Sequence, residues 1–514
     1  MAPASLDHAA CYRALRARDR RFDGAFFVAV HSTGIYCRPI CPARPVASAG
    51  CTFFVGAAEA EAAGYRACFR CRPELAPGLA PMDSTPRLVR RAAAAIDSGS
   101  LDERGVEALA TTLGVTSRHL RRAMEAELGV SPVAYAQTRR LALAKRLLHD
   151  TTLPLTEVAF AAGFGSVRRF NALFKKTFAR PPGEVRRSRL ARPHDGGTDS
   201  ITLRLDYRPP LAWDGLLEFL RGRAIPGVES IEAAAYRRTV RLGDGVGWLS
   251  VQPAGDDVPA LLARVSTSLV PRLTMVIARL RALFDLDAQP HRIADHLRKD
   301  ALLRPLVARA PGFRLPGAFD PFEMAVRAVL GQQVSVKGAT TLCGRIVASF
   351  GTPVALAGDA PAALQSLFPT AAELAAVPLG RLRTIGLPEA RAASILGLAR
   401  DVSSGHIDLS GASPPEATVA ALESLRGIGP WTAHYLAMRA LRWPDAFVGG
   451  DLGVRKALGV TSSRAAEERA EPWRPWRSYA VMLLWSSLAL RSDRTPPSPR
   501  ASSTRRRAAS TRRS

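Results

Sequence analysis

Four cysteines stand in two close pairs, Cys37 with Cys41 and Cys68 with Cys71, separated by three and two residues. Thiolates at such spacing, each pair on one turn and brought together by the chain between, form the donor set of a tetrahedral zinc site. The alternatives are reduced structural thiols without metal and a zinc site that is structural only. Cys11, Cys51 and Cys343 lack partners at that spacing and read as ordinary buried thiols. A second chemical feature lies toward the other end, where Gly427 and Gly429 stand one residue apart between helical stretches. Glycines so placed let backbone N–H groups approach a phosphate unobstructed. Asp451 follows and precedes an amphipathic helix. There it can be a helix N-cap or a carboxylate that stabilises developing positive charge.

The chain that positions these residues has 514 residues, a length for about three or four domains. Lysine plus arginine number 71 against 45 acids, and the resulting +26 points to a polyanionic partner. With 47% hydrophobic and 23% charged residues, the composition is that of a folded chain, not a disordered polycation. The longest apolar run, 480–490, is too short to span a bilayer. The N-terminus carries Asp7 and His8 before the brief apolar stretch 25–30, without a secretory pattern. Seven cysteines, an odd number with four crowded together, argue against a disulfide framework. These features predict a cytoplasmic protein without a membrane partner.

Texture divides the chain into a multidomain, mainly α architecture. Residues 1–80 mix short β-branched and aromatic runs with the cysteines, a small α+β zinc domain, and 73–86 reads as a Pro/Gly-rich linker. Residues 85–187 show helical spacing throughout. A second linker is expected at 188–200. Residues 201–311 open on alternating Ile201, Leu203, Leu205 and Tyr207, a strand pattern, and continue as α+β. Amphipathic helices fill 312–492, and 493–514 reads as a disordered basic tail. The stretch from Arg491 onward holds eight arginines and one aspartate, net +7, whose attraction for DNA should fade with salt.

The run Phe27-Val28-Ala29-Val30, Thr33-Gly34-Ile35-Tyr36-Cys37-Arg38-Pro39, Cys41 and Gly64-Tyr65-Arg66-Ala67-Cys68-Phe69-Arg70-Cys71 closely resembles the zinc domain of the Ada adaptive-response family. The resemblance implies one Zn²⁺ per chain, held by Cys37, Cys41, Cys68 and Cys71, with Cys37 accepting a methyl group from a DNA methylphosphotriester. Zinc keeps sulfur as thiolate, the nucleophilic form. Four thiolates on Zn²⁺ carry −2, and one methylation leaves −1, so repulsion from DNA phosphates falls. Thr33, Arg44 and Arg66 match family positions near DNA, although such arginines can equally be solvated surface charges.

Between residues 85 and 187 one pattern occurs twice, around Val106 to Arg122 and around Glu157 to Phe170. Each copy runs from a helix through a glycine turn into a second helix capped by Ser or Thr, with arginines near its start. The second helix of such a unit enters the major groove. Arg118, His119, Arg122, Arg168, Arg169 and Asn171 are the candidate base readers, and arginine on guanine is the commonest specific contact. With the ending Phe178-Ala179-Arg180-Pro181-Pro182, the stretch resembles AraC-type DNA-binding domains.

Residues 201–492 resemble helix-hairpin-helix DNA glycosylases, most closely the AlkA-type 3-methyladenine glycosylases. The residues that carry this are Arg314-Leu315-Pro316-Gly317, Ala328-Val329-Leu330-Gly331-Gln332-Gln333-Val334-Ser335-Val336, Leu425 to Ala433, Gly450 to Arg455 and Trp473 to Ala480. The resemblance implies base flipping into an aromatic pocket of Phe219, Trp431, Tyr435 and Trp485, with Asp451 as the catalytic carboxylate and Gln333 filling the vacated stack. Electron-poor alkylated purines favour such walls. The absence of a lysine near Trp431 implies a monofunctional glycosylase. Gln333 replaces a leucine wedge and Leu452 replaces an aromatic, which leaves the range of excised bases open. No Pro-Cys-His-Arg site for O6-alkylguanine repair is present. The expectation is a fusion of a methyl-responsive activator with a DNA-3-methyladenine glycosylase, acting on alkylated and promoter double-stranded DNA, with RNA polymerase as activator target and a monomeric state. The rival is an activator whose glycosylase-like half binds DNA without excision.

Overall fold

The computed structural model describes residues 6–78, 87–103, 105–187, 199–255, 257–356, 358 and 360–492. The tail expected at 493–514, and all but the last two residues of the linker expected at 188–200, lie outside the described residues.

The cysteine segment forms helix α1 (His8–Ala17), the strands β1 (Phe27–Val30), β2 (Ile35–Cys37), β3 (Cys51–Phe54) and β4 (Arg66–Ala67), and helix α2 (Ala57–Ala62). The sheet order is β3-β1-β2-β4, antiparallel except for β2 with β4. Successive β1 side chains point to opposite faces, and here both faces are buried. Val28 packs with Cys11, Leu15 and Cys51, whereas Phe27 and Ala29 pack with Tyr36 into a much larger core.

Helices α3 (Arg87–Asp97), α4 (Val106–Thr112), α5 (Ser117–Leu128), α6 (Pro132–Asp150), α7 (Leu155–Ala161) and α8 (Val167–Phe178) follow. Both second helices of the repeated pattern are capped as the sequence suggests. Thr116 Oγ1 accepts from the His119 N–H and Ser166 Oγ from the Arg169 N–H, each at 3.2 Å. The two pairs, α4/α5 and α7/α8, flank the 19-residue helix α6.

An antiparallel sheet of order β5-β9-β8-β7-β6 comes next: β5 (Ser200–Asp206), β6 (Glu229–Glu232), β7 (Ala235–Leu242), β8 (Gly245–Pro253) and β9 (Ala260–Ser266). Alternate residues Leu203, Leu205, Leu249, Val251, Ala263 and Val265 are buried, as the alternation at the start of β5 predicts. Helices α9 (Trp213–Arg221) and α10 (Leu273–Leu283) contribute to the same core. A second core gathers α11 (Pro321–Leu330), α12 (Val336–Phe350), α13 (Pro415–Glu423), α14 (Pro430–Arg439), α15 (Leu452–Leu458) and α16 (Arg477–Ser492) around residues such as Val329, Leu396, Leu436, Trp473 and Tyr479.

One continuous apolar core crosses three of these units. It joins Phe27 and Tyr36, then Leu147, Phe174 and Phe178, then Leu203, Leu280 and Phe284. Buried and half-buried charges bolt the same interfaces. Arg72 grips Asp150 of α6 through two hydrogen bonds of 2.7 and 2.8 Å. Lys145 of α6, fully buried, donates to Glu74 and to the Cys68 carbonyl, both at 2.9 Å. The stretch read as a linker from residue 73 therefore begins as an interface: Glu74 is buried in ion pairs, and the Gly78 N–H donates to Asp287 at 2.7 Å.

Candidate functional site

Strand β2 ends on Cys37, and the turn that follows brings Cys41 back, its N–H donating to the Arg38 carbonyl at 3.1 Å. Cys68 and Cys71 occupy the turn after β4. All four Sγ atoms lie within 4.8 Å of one another, compatible with the edges of about 3.8 Å of a tetrahedron with Zn–S bonds near 2.3 Å. Backbone N–H groups already serve the sulfurs as thiolate partners, Arg38 to Cys71 at 3.4 Å and Arg70 to Cys68 at 3.3 Å. Hydrogen bonding within the cluster splits the thiols. The contact with Cys37 pulls Cys41 down to about 7, while the same contact pushes Cys37 up. The four ionise together only against a cation, and the donor set fits Zn²⁺. Cys41, Cys68 and Cys71 are buried, whereas Cys37 is partly open to solvent. Around it, Thr33 and Arg44 are exposed, and Arg66 stands opposite Ile35 in the sheet.

The structure places Arg118, His119 and Arg122 on the solvent side of α5, and Arg168, Arg169 and Asn171 on that of α8. Leu120 and Phe170, fully buried, fix the opposite faces. Exposed Lys175 and Lys176 lengthen the basic face of α8 and were not among the sequence candidates.

In the C-terminal unit Gly427 has φ +85°, and a Cβ there would stand 2.0 Å from the Ser394 hydroxyl, so only glycine fits this turn. Gly429 faces open space and precedes α14. Gln332 ties this hairpin to the loop between α11 and α12, its Nε2 donating to the Gly427 carbonyl and to Thr432 Oγ1, both at 2.9 Å. Gln333 beside it is exposed at φ +57°.

Asp451 is the helix N-cap that the sequence allowed at its position. It caps α15, Oδ1 accepting from the Val454 N–H at 2.9 Å. It also faces aromatic rings. Trp485 Nε1 donates to Oδ1 and Trp431 Nε1 to Oδ2, each at 3.0 Å. Three donors fix the carboxylate and leave acceptor capacity on Oδ2. Trp431 lies stacked on Tyr435, ring centres 5.2 Å apart and 7° from parallel, and Trp485 stands 6.1 Å from Tyr435. Gly453 makes room for this arrangement, since a Cβ there would meet Asp451 at 3.0 Å and Trp485 at 3.4 Å.

Phe219 on α9 joins the group through arginines that the sequence reading missed. Arg223 sits 3.7 Å over the Phe219 ring, and Arg439 lies 4.8 Å from the same ring while donating to Tyr435 Oη at 3.0 Å. Against the cost of burial, Arg439 and Arg223 hold the Tyr435 phenol below its usual range. A signal was present: Phe219 with Arg223, and Tyr435 with Arg439, are each four residues apart, the second pair within α14 and the first running from α9 into the turn that follows it. Leu452, next to the carboxylate, is 73% exposed, and Val334 and Val336 beside Gln333 are also exposed.

Four family models match the chain in succession: the metal binding domain of Ada over 10–74, a helix-turn-helix domain over 109–188, the AlkA N-terminal domain over 202–320 and the HhH-GPD superfamily of base excision DNA repair proteins over 326–474. A Mycobacterium tuberculosis protein described as a probable bifunctional transcriptional activator/DNA repair enzyme AlkA is 41% identical over 96% of this chain and 98% of its own length. The chain belongs to this bifunctional AlkA family. Other relatives match parts of it. The Escherichia coli DNA-3-methyladenine glycosylase 2 is 32% identical over 55% of this chain and 95% of its own length. The Escherichia coli bifunctional transcriptional activator/DNA repair enzyme Ada is 36% identical over 25% of this chain and 35% of its own length. As a member of this family, the chain is a multidomain, mainly helical DNA-binding repair protein with a zinc-binding, a helix-turn-helix and a glycosylase module. Among the described residues no helix is long and apolar enough to cross a membrane.

Proposed function

We propose that the chain excises alkylated bases such as 3-methyladenine from DNA as a monofunctional glycosylase, and that it takes methyl groups from DNA methylphosphotriesters onto Cys37 to act as a transcriptional activator. The carboxylate of Asp451, bracketed by the Trp431 and Trp485 indoles, carries the first half of this reading. A flipped, electron-poor base is drawn to the rings of Trp431, Tyr435, Trp485 and Phe219. Alkylation makes that base a good leaving group, so the chief task left is to stabilise the oxocarbenium-like sugar, and Oδ2 of Asp451 retains the acceptor capacity to do so and to orient water. Gln333 stands at the loop tip to fill the stack, and Gly427 and Gly429 offer backbone N–H groups to phosphate.

For the sensor, the differential exposure of the cluster supports Cys37 as acceptor: it is the one residue of the four that is not buried. Bound by the four cysteines, one zinc per chain would keep them as thiolates at neutral pH. The Cys37 lone pair forms the new S–C bond as the methyl C–O bond breaks, and the phosphodiester leaves as its anion. Thr33, Arg44 and Arg66 would hold the DNA backbone there. In this division residues 1–80 sense, 85–187 read promoter DNA, and 201–311 with 312–492 excise, in a cytoplasmic monomer that presents RNA polymerase to the promoter.

The test is release of 3-methyladenine from alkylated duplex by the full chain and by Asp451→Asn, which keeps the helix cap. A loss of about 100-fold or more is expected for the variant. Equal, background release by both proteins would sink the enzymatic reading. Peptide mass spectrometry after exposure to methylphosphotriester DNA should find one methyl on Cys37, and none on a Cys37→Ser chain.

A further inference from the structure

Arg38, the residue after the proposed acceptor, ties the cysteine cluster to the glycosylase half. Its guanidinium is shared by two buried carboxylates. Asp23, within the zinc module, accepts from Nε at 2.8 Å, and Asp206, the last residue of β5, accepts from Nη1 at 3.0 Å. The same residue touches the cluster, its backbone N–H donating to Cys71 Sγ at 3.4 Å and Nη1 to the Cys71 carbonyl at 3.3 Å. Beyond Asp206 the contacts continue without a break. Arg208 donates to the Asp23 and Gly78 carbonyls at 2.9 Å, and its own carbonyl accepts from Arg314 Nη2 at 2.7 Å. Arg314 opens the segment whose Pro316 and Gly317 carbonyls hold Arg439, the partner of Tyr435. Arg38, Arg208, Arg314 and Arg439 are each at most 4% exposed. A buried guanidinium with fixed acceptors is directional, so a shift at one end obliges its partners to adjust.

We propose that the charge of the thiolate cluster is coupled through Arg38 and Asp206 to the glycosylase half, so that methylating the cluster tightens its docking on β5 and on the connection to α9, which carries Phe219. This rests on reading the cysteine cluster as the methyl acceptor. Four thiolates on a divalent cation carry −2, and one thioether leaves −1. Asp206 is held one guanidinium away from that charge. When a unit of negative charge is lost, repulsion on the Asp206 carboxylate falls, and Arg38 meets less competing attraction from the sulfurs. The pair across the interface then strengthens. Linkage makes the effect reciprocal: a glycosylase half that keeps Asp206 in place favours the methylated cluster by the same factor.

The test uses the zinc-loaded full chain and methyl iodide, which requires no DNA: a cluster sulfur forms the S–CH₃ bond as the C–I bond breaks and iodide leaves. Hydrogen exchange of residues 200–221 is followed by mass spectrometry before and after, and the methyl is located in the same peptides. The expected result is severalfold slower exchange of 200–221 in the methylated wild type. In Asp206→Asn, which keeps the shape and an acceptor, methylation should leave this exchange unchanged, while unaltered protection of β7 to β9 marks the intact sheet. Arg38→Lys, which keeps the charge but loses the fork, should damp the response. Unchanged or faster exchange in the fully methylated wild type overturns the proposal, as does a response of equal size in Asp206→Asn. A methyl on another cluster sulfur would refute Cys37 as acceptor alone. Any of the four thioethers removes the same unit of charge, so the exchange comparison still decides the coupling.

Discussion

The indole N–H of Trp485 meets Oδ1 of Asp451 at 3.0 Å, from a helix that begins 26 residues after the aspartate. A wall of the proposed pocket is thus also what aims the carboxylate. Trp485→Phe keeps an aromatic wall and removes only the donor. Excision should fall about 10-fold, the worth of one hydrogen bond to a charged group, with thermal stability nearly unchanged. Single-turnover release of 3-methyladenine from duplex DNA measures it, and an undiminished rate would remove Trp485 from the positioning of Asp451.

Gln333 holds φ +57° on an exposed loop tip, a conformation that costs a side-chain-bearing residue roughly 1 kcal/mol and glycine nothing. Gln333→Gly should therefore be at least as stable as the parent in denaturant titration. It should nonetheless excise more slowly from duplex while matching the parent on a single-stranded oligonucleotide, where no stack has to be filled. Equal slowing on both substrates would deny Gln333 a role in flipping.

Burial pushes the Asp285 carboxyl up to about 6, against the Tyr479 hydroxyl and the Leu315 N–H, which donate to it at 2.7 and 3.2 Å. The folded pKa lies above the unfolded value of about 3.9, so the folded state binds the proton more tightly. Its contribution to stability is complete below pH 4 or so, declines as pH rises to about 6, and is flat above. Asp285→Asn keeps an acceptor for Tyr479 and cannot ionise. The variant should match the parent near pH 4 and exceed it by about 2 kcal/mol at pH 7. Denaturation midpoints of the two proteins between pH 4 and 8 would show a constant gap if Asp285 did not titrate in this range.

Arg118 and Arg168 project from the first turns of the two capped helices. Replacing either by alanine should relax preference at one base pair by about 1–3 kcal/mol and leave the other half-site intact. Binding-site selection from random duplexes with parent and variants reads this directly. A uniform weakening at every position would mark these arginines as phosphate contacts.

Chemistry carried by local spacing was legible in the sequence. The cysteine pairs, the two capped helices and the glycine hairpin all lie within short windows, and the structure brings the four sulfurs, and the aromatics with Asp451, into single clusters. The sequence left Asp451 as a choice between cap and catalyst, because both ask for the same residue at the same place; the structure shows the cap, and the catalytic role stands as the proposal. Arg38 was legible as a motif letter and no more. Its partner Asp206 lies 168 residues away, and a lone charge pairing at that separation leaves no periodicity to read. The same holds for the linker expected over 73–86, whose proline and glycine content could not show that Glu74 meets Lys145 of α6, while residues 79–86 lie outside the described residues.

The apolar core that runs from Phe27 through Phe178 to Phe284 changes what can be learned by cutting the chain. A fragment begun at β5 would uncover the surface that packs on the preceding helices, such as residues 267–272 against α7 and α10 against α3. Such a piece invites aggregation, and any activity it kept would be that of a different surface. Residue-by-residue substitution in the intact polypeptide is thus the safer dissection, and proteolysis should release the N-terminal half only after the glycosylase sheet has begun to unfold.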